Sequence, residues 1–321
     1  MRSNYSNFNQ VLKDIRSLKI QGAQNIAIAA VKTLSQKAKK SKALIKTSFL
    51  HELKKSKALL EATRPTEPAM RNALSYIVNN VPNTNQKNSK QTKILQLKKQ
   101  ITDNAEYALN HLQSTRKLIA HHGQKLIKQQ TKHKKSTKPF IIYTHCHSST
   151  VTSIIKEAHF QGKNILVHNT ETRPRLQGRK TAKELANYKI PVKHYVDSGA
   201  KLAMENADLI LFGMDAITDK YLYNKIGTEM FCEIATKRKI PIYFCTDSWK
   251  YDPKPHFGKH EKIEQRNPKE VWQNAPKSIK IFNPAFEEIP VKYATGIISE
   301  LGIFSHKKFI KQTKKTYPIL F

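Results

Sequence analysis

The sequence predicts an α/β protein, with a helical N-terminal domain over residues 1–135 and a Rossmann-like, doubly wound parallel sheet over 136–321. Three observations lead there. Apolar residues recur at three- and four-residue steps to about Gln130, the period of amphipathic helices. The charged segment Lys132–Lys138 (KHKKSTK) then interrupts the pattern. Beyond it, short apolar runs alternate with helical stretches, which builds a parallel sheet covered on both faces.

In chain order, Phe8–Leu18 has one apolar face, while Ile20–Leu34 is Ala/Ile-rich and nearly apolar all round, as in a helix packed on two sides. Lys42–Leu60 repeats the pattern until Arg64-Pro65-Thr66 breaks it. Met70–Val81 is a short helix, the Asn-rich stretch from Asn80 a polar turn, and Lys93 to about Gln130 a long amphipathic helix. The expected strands are Pro139–Thr144, Asn164–His168, Val192–Val196, Leu209–Gly213 and Pro241–Cys245, with a sixth at Ile279–Phe282. Helices are expected between them at Val151–Phe160, Ala182–Tyr188, Gly199–Asn206 and Thr228–Lys239.

Composition narrows the function classes. Lys and Arg number 57 against 24 Asp and Glu, a net charge of +33. Residues 1–138 hold 28 Lys/Arg and 6 Asp/Glu, so +22 of that charge lies there. Such a surface attracts phosphorylated ligands or a nucleic-acid backbone. Few aromatics interleave with the lysines, so a nucleic-acid partner has no motif behind it. No run approaches the roughly 18 apolar residues of a membrane span, and the start lacks the apolar stretch of a secretory signal. A cytoplasmic protein is expected. Cys146, Cys232 and Cys245 have neither disulfide-framework nor zinc spacing. There is no dinucleotide fingerprint and no P-loop, so neither hydride transfer nor ATP chemistry has support. His145-x-His147 has no carboxylate or third ligand near it in sequence, so no cofactor and no metal is expected.

In doubly wound sheets ligands bind at the carboxyl ends of the strands. After the first strand stands Thr144-His-Cys-His-Ser-Ser, where a helix start beside His145 and His147 can lower the pKa of Cys146 and make it acid, base or nucleophile. After the second, Arg173, Arg175 and Arg179 cluster with Gln177 and Gly178 at a helix start, a pattern that suits a phosphate. After the fourth, Asp215 is a carboxylate ending an apolar strand, where burial can raise its pKa, and Asn224-Lys225-Ile-Gly follows. After the fifth come Asp247 and Lys250. A small buried residue is the plain reading of a lone cysteine, and Cys232 and Cys245 fit it.

The strings ETRPRLQGRKTAKEL, GMDAITDKYLYNKIGT and TDSWKYDP resemble the initiation factor 2B alpha, beta and delta subunit family, which includes methylthioribose-1-phosphate and archaeal ribose-1,5-bisphosphate isomerases. The likeness runs in order from Asp14 to Gly302. It implies catalytic roles for Cys146 in YTHCHSS and Asp215 in GMDAI. It also implies substrate-binding roles for Gly22, Ala23, Arg64 of the RPT string, Arg173, Gln177, the Asn224–Lys225 pair and Lys250. Two positions depart from the isomerase strings. Gln21 stands where those enzymes carry a phosphate-clamping arginine, and Met214 where they usually carry alanine. The resemblance implies an aldose–ketose isomerase of a ribose 1-phosphate-type sugar, with ribose 1,5-bisphosphate to ribulose 1,5-bisphosphate as one such reaction. The alternative is a non-catalytic factor-2B-like subunit that binds a nucleotide or sugar phosphate and an initiation factor partner. A homodimer or higher even oligomer is implied either way.

Overall fold

The computed structural model describes residues 7–81, 90–132, 138–253, 263 and 265–321. They form two compact units. One comprises Met1–Ser114, Trp249–Tyr251 and Lys314–Phe321, the other Thr115–Ser248 and Asp252–Thr313. Residues 82–89, most of the expected polar turn, and 133–137 of the charged segment lie outside the described residues. Among those described, no helix is long and apolar enough to cross a membrane.

The first unit is helical: α1 (Phe8–Arg16), α2 (Ala23–Lys40), α3 (Lys46–Glu61), α4 (Pro68–Asn79) and the first part of α5 (Lys90–Lys132). Asn7 caps α1 by accepting the Gln10 N–H at 3.1 Å, satisfying one of the donors a helix start leaves open. Pro68 begins α4, where its missing N–H costs nothing. The apolar-all-round segment becomes α2, which packs against both α3 and α4. Its Ala27, Ala29 and Ala30 are fully buried, and small side chains let the helix axes approach. Phe49 and Leu53 of α3 and Met70 and Leu74 of α4 fill the same core, each burial contributing about 1.5–3 kcal/mol.

The Trp249–Tyr251 segment is held in this unit by Asn72 of α4. The Asn72 amide donates to the Trp249 carbonyl at 2.7 Å and the Tyr251 carbonyl at 2.8 Å, while the indole stacks on His111 with centroids 4.0 Å apart. Asn72→Ala removes both bonds and is expected to lower stability by about 1–3 kcal/mol. An unchanged urea midpoint would show that this tether adds nothing.

The second unit is built on a seven-stranded sheet of β1 (Phe140–Thr144), β2 (Ile165–Thr170), β3 (Val192–Tyr195), β4 (Leu209–Gly213), β7 (Ile242–Cys245), β9 (Gly296–Ser299) and β10 (Gly302–Phe304). The order is β10-β9-β7-β4-β1-β2-β3, with β10 antiparallel and the rest parallel. Inner strands such as Leu209–Gly213 are buried along their whole length, as strands covered on both faces must be. The helices are α6 (Ser149–Phe160), α7 (Gln177–Asn187), α8 (Ala200–Ala203), α9 (Thr228–Lys237) and α10 (His306–Thr316). From β1 the chain winds outward through β2 and β3, then returns to β4 on the other side. The switch point therefore lies between β1 and β4. The end of α5 joins this core through Ile119, Leu126 and Ile127.

Two features differ from expectation. Ile279–Phe282 is not a strand: Ile279 is 45% and Phe282 80% exposed, and no strand pairs with them. The sixth parallel strand is β9, whose Ile297 and Ile298 are fully buried beside β7. A three-stranded antiparallel sheet was also not expected. It comprises β5 (Ala216–Ile217), β6 (Tyr221–Lys225) and β8 (Phe286–Pro290), in the order β5-β6-β8.

Candidate active site

Cys146 follows β1 at the switch point, half-buried and with φ of 67°. Its N–H donates to the Thr172 hydroxyl at 2.9 Å, and its carbonyl accepts from the Thr181 hydroxyl at 2.8 Å. The expectation that the start of α6 lowers its pKa is not met. Burial pushes the thiol up to about 11, and the nearby Lys225 ammonium and the His147 N–H only partly oppose that. The carboxylates of Asp215 and Asp197 add to the rise. Cys146 stands two residues before Ser148, which caps α6 by accepting the Val151 N–H through its hydroxyl.

A thiol held near 11 is almost wholly protonated at pH 8. Alkylation of Cys146 at that pH is therefore expected to run about 10- to 100-fold slower than that of an exposed thiol, allowing for the greater nucleophilicity of a high-pKa thiolate. The rate should still be climbing at pH 10. A plateau near pH 9 in peptide-resolved labelling contradicts this.

His145 is buried between the strand ends. Its Nε2–H donates to the Ile226 carbonyl at 3.2 Å, so Nδ1 accepts, receiving the Thr170 hydroxyl at 2.7 Å. Burial pushes its pKa down to about 4 although Asp197 lies 3.9 Å away, so the ring is neutral at physiological pH. His147 interacts with the Thr181 hydroxyl at 3.1 Å and sits 3.8 Å from Glu184.

Asp215 lies in the bend between β4 and β5, half-buried, where its N–H donates to the Tyr223 carbonyl at 2.8 Å. Asn224 and Lys225 end β6 and are buried. The Asn224 amide donates to the Thr228 hydroxyl at 3.1 Å, and the Lys225 ammonium lies 4.7 Å from the Phe286 ring centroid. Gly227, at φ 98°, then turns the chain into α9, a conformation that strains residues with a Cβ. Glu287 of β8 accepts the Glu229 N–H at 2.7 Å at that helix start, and burial pushes its pKa up to about 7.

The arginine cluster after β2 is largely committed to protein partners. Arg175 pairs with Glu270 at 3.3 Å, Arg179 with Glu171 at 2.8 Å, and Arg173 donates to the Val271 carbonyl at 3.1 Å. Gln177 opens α7. Gly178 beside it is pressed so closely on β2 that a Cβ there would meet the Thr170 carbonyl oxygen at 1.7 Å.

The structure thus sets Asp215 and Lys225 each within electrostatic reach of Cys146. It places Gly22, Ala23, Arg64 and Lys250 in the helical unit. Gly22 precedes α2 at φ 85°, Ala23 opens it, Arg64 is buried 3.5 Å from Glu67, and Lys250 ends the turn that follows β7. Sequence reasoning missed Thr170, Thr172 and Asp197. No local signal marks Asp197, whose carboxylate is bonded to the N–H groups of Thr172 and Arg173.

Residues 19–306 match the Initiation factor 2 subunit family, and the chain belongs to it. It is 35% identical over 304 residues to ribose 1,5-bisphosphate isomerase of Thermococcus kodakarensis, covering 92% of this chain and 89% of that one. It is 32% identical to methylthioribose-1-phosphate isomerase of a Thermoanaerobacter species, covering 90% and 85%. Among solved structures, 5-methylthioribose 1-phosphate isomerase of Pyrococcus horikoshii superposes with a TM-score of 0.71 at 28% identity, covering 98% and 88%. The translation initiation factor eIF-2B of the same organism reaches 0.75 at 23%, covering 94% and 98%, and shares the fold.

Proposed function

We propose that this chain is an aldose–ketose isomerase of a ribose 1-phosphate-type sugar, converting ribose 1,5-bisphosphate to ribulose 1,5-bisphosphate. The observation that carries the reading is the convergence of a neutral thiol and a carboxylate at the switch point, with the Lys225 ammonium near enough to bias the thiol. The isomerase names of relatives at 29–35% identity over nine-tenths of the chain support it.

The reaction opens the furanose at the C1–ring-oxygen bond, so the ring oxygen gains a proton. The C2 hydroxyl loses one, and the hydrogen on C2 moves to C1, leaving a C2 ketone and a CH2 at C1. No atom is gained or lost. Asp215 serves ring opening, and Cys146 serves the transfer between C2 and C1. The open-chain intermediate has to be kept from water until the transfer is complete. Arg173 and Gln177 hold phosphate oxygens, and Asn224 and Lys225 hold hydroxyl and phosphate oxygens. An even-numbered homo-oligomer belongs to the same proposal, and a monomeric mass by light scattering would remove that part.

One observation favours a second reading. Gln21 offers no charge to a phosphate dianion, as a regulatory subunit that only binds its ligand could tolerate. Titration calorimetry with ribose 1,5-bisphosphate, methylthioribose 1-phosphate, AMP and GMP separates the two. Tightest binding to a pentose phosphate is expected. Binding confined to the nucleotides would transfer the site to the regulatory reading.

A further inference from the structure

Two residues at the site hold backbone conformations that side chains with a Cβ rarely adopt. Cys146 has φ of 67°, and Thr172, in the turn between β2 and α7, has φ of 63°. For a β-branched residue such as threonine this is a marked outlier, which persists only where surrounding bonds over-determine it. The two meet directly, since the Cys146 N–H donates to the Thr172 Oγ1 at 2.9 Å. Thr172 has no exposed surface, so its hydroxyl exchanges no bonds with water.

What fixes Thr172 is Asp197, the residue that opens the turn after β3. Its Oδ1 accepts the Thr172 N–H at 2.8 Å and its Oδ2 accepts the Arg173 N–H at 2.6 Å. Both carboxylate oxygens are thus engaged with successive N–H groups of the one turn, the strong charge-assisted kind of bond. A main-chain bond from Glu171 N–H to the Tyr195 carbonyl at 2.9 Å ties the same turn to β3. The chain of contacts runs from the end of β3, through the turn after β2, to the residue after β1.

We infer that Asp197 and Thr172 are positioning residues for Cys146: the carboxylate clamps the turn in the conformation in which the threonine hydroxyl receives the cysteine N–H and so orients the thiol. This deepens the isomerase reading and rests on it for the effect on turnover. Asp197 also acts on the thiol through its charge. The groups around Cys146 are neutral His145, His147 with Lys180 and Glu184 beyond it, Asp215, Lys225 and Asp197. Asp197 sides with Asp215 in keeping the thiol protonated, against Lys225.

The test uses Thr172→Val, Thr172→Ser and Asp197→Asn in the full chain. Valine keeps the shape and branching but gives the Cys146 N–H no acceptor, whereas serine keeps the acceptor. Thr172→Val is expected to lower kcat at least about 30-fold with KM within about 3-fold, and Thr172→Ser to recover most of that loss. Asp197→Asn is expected to move the pH midpoint of Cys146 alkylation downward, because a charge that favours the neutral thiol has gone. A Thr172→Val protein with wild-type turnover and a wild-type labelling profile would overturn the inference. If Asp197→Asn does not fold, the valine and serine pair decides alone. Labelling needs no substrate, so the two readings fail separately. Altered labelling in a protein whose wild type turns over no ribose phosphate rejects the isomerase and keeps the positioning role. Wild-type turnover and wild-type labelling in Thr172→Val, with an active wild type, do the reverse.

Discussion

Asp215→Asn and Cys146→Ser are each expected to lower isomerisation of ribose 1,5-bisphosphate by about 100- to 10,000-fold, the range set by losing a positioned acid or base. Asparagine matches the size of aspartate, and the N–H of residue 215 still donates to the Tyr223 carbonyl, so the bend after β4 survives. The amide can neither give nor take the ring-oxygen proton. Serine likewise leaves the bonds from residue 146 to Thr172 and Thr181, which are main-chain bonds on its side. Its hydroxyl is a far weaker acid than the thiol. Combining the two changes should cost little more than the worse single one, since residues acting in one reaction are not additive. Circular dichroism and urea midpoints within error of wild type would show that the losses are chemical. Either variant keeping more than about a tenth of wild-type kcat would remove that residue from the machinery.

Gly178→Ala carries the largest expected effect on stability. An alanine methyl at 1.7 Å from the Thr170 carbonyl oxygen is impossible, and that oxygen is backbone at the end of β2, with little freedom to yield. The start of α7 must lift away from the strand. That breaks the 2.7 Å bond from the Asn169 amide to the Gly178 carbonyl and the 3.0 Å bond from the Gly178 N–H to the Glu171 carbonyl. A loss of about 3–5 kcal/mol or outright failure to fold is expected, the scale of severe overpacking with broken buried hydrogen bonds. Gly199→Ala is the control, because its new methyl would meet nothing nearer than 3.6 Å. Equal urea midpoints for the two variants would show that the β2–α7 approach is looser than the structure has it.

The elements read correctly from sequence were those whose burial leaves a long signal. Leu209–Gly213 is an unbroken apolar run because both faces of β4 are covered, and α2 is apolar all round because α3 and α4 flank it. The errors lie where the run is short or misleading. Only two isoleucines mark β9, and Ile279 and Phe282 imitate a strand while standing in solvent. The same holds at the site. Cys146 and Asp215 were legible as candidate side chains at strand ends, and the structure places both after strands of the sheet. The direction of the Cys146 shift was not, since it depends on whether desolvation outweighs Lys225 and the His147 N–H. Asp197 was invisible because its role lies in bonds to Thr172 and Arg173, 25 and 24 residues earlier.

The central claim, sugar-phosphate isomerisation at the Cys146–Asp215 pair, is tested most directly by carbon-13 NMR of ribose 1,5-bisphosphate labelled at C2. Wild type and Asp215→Asn are incubated side by side. The expected result is a C2 ketone signal growing with wild type and absent, or at least about 100-fold slower, with the variant. A ketone that forms equally fast with both would contradict the assigned site, and a wild-type spectrum that never changes would contradict the assigned reaction.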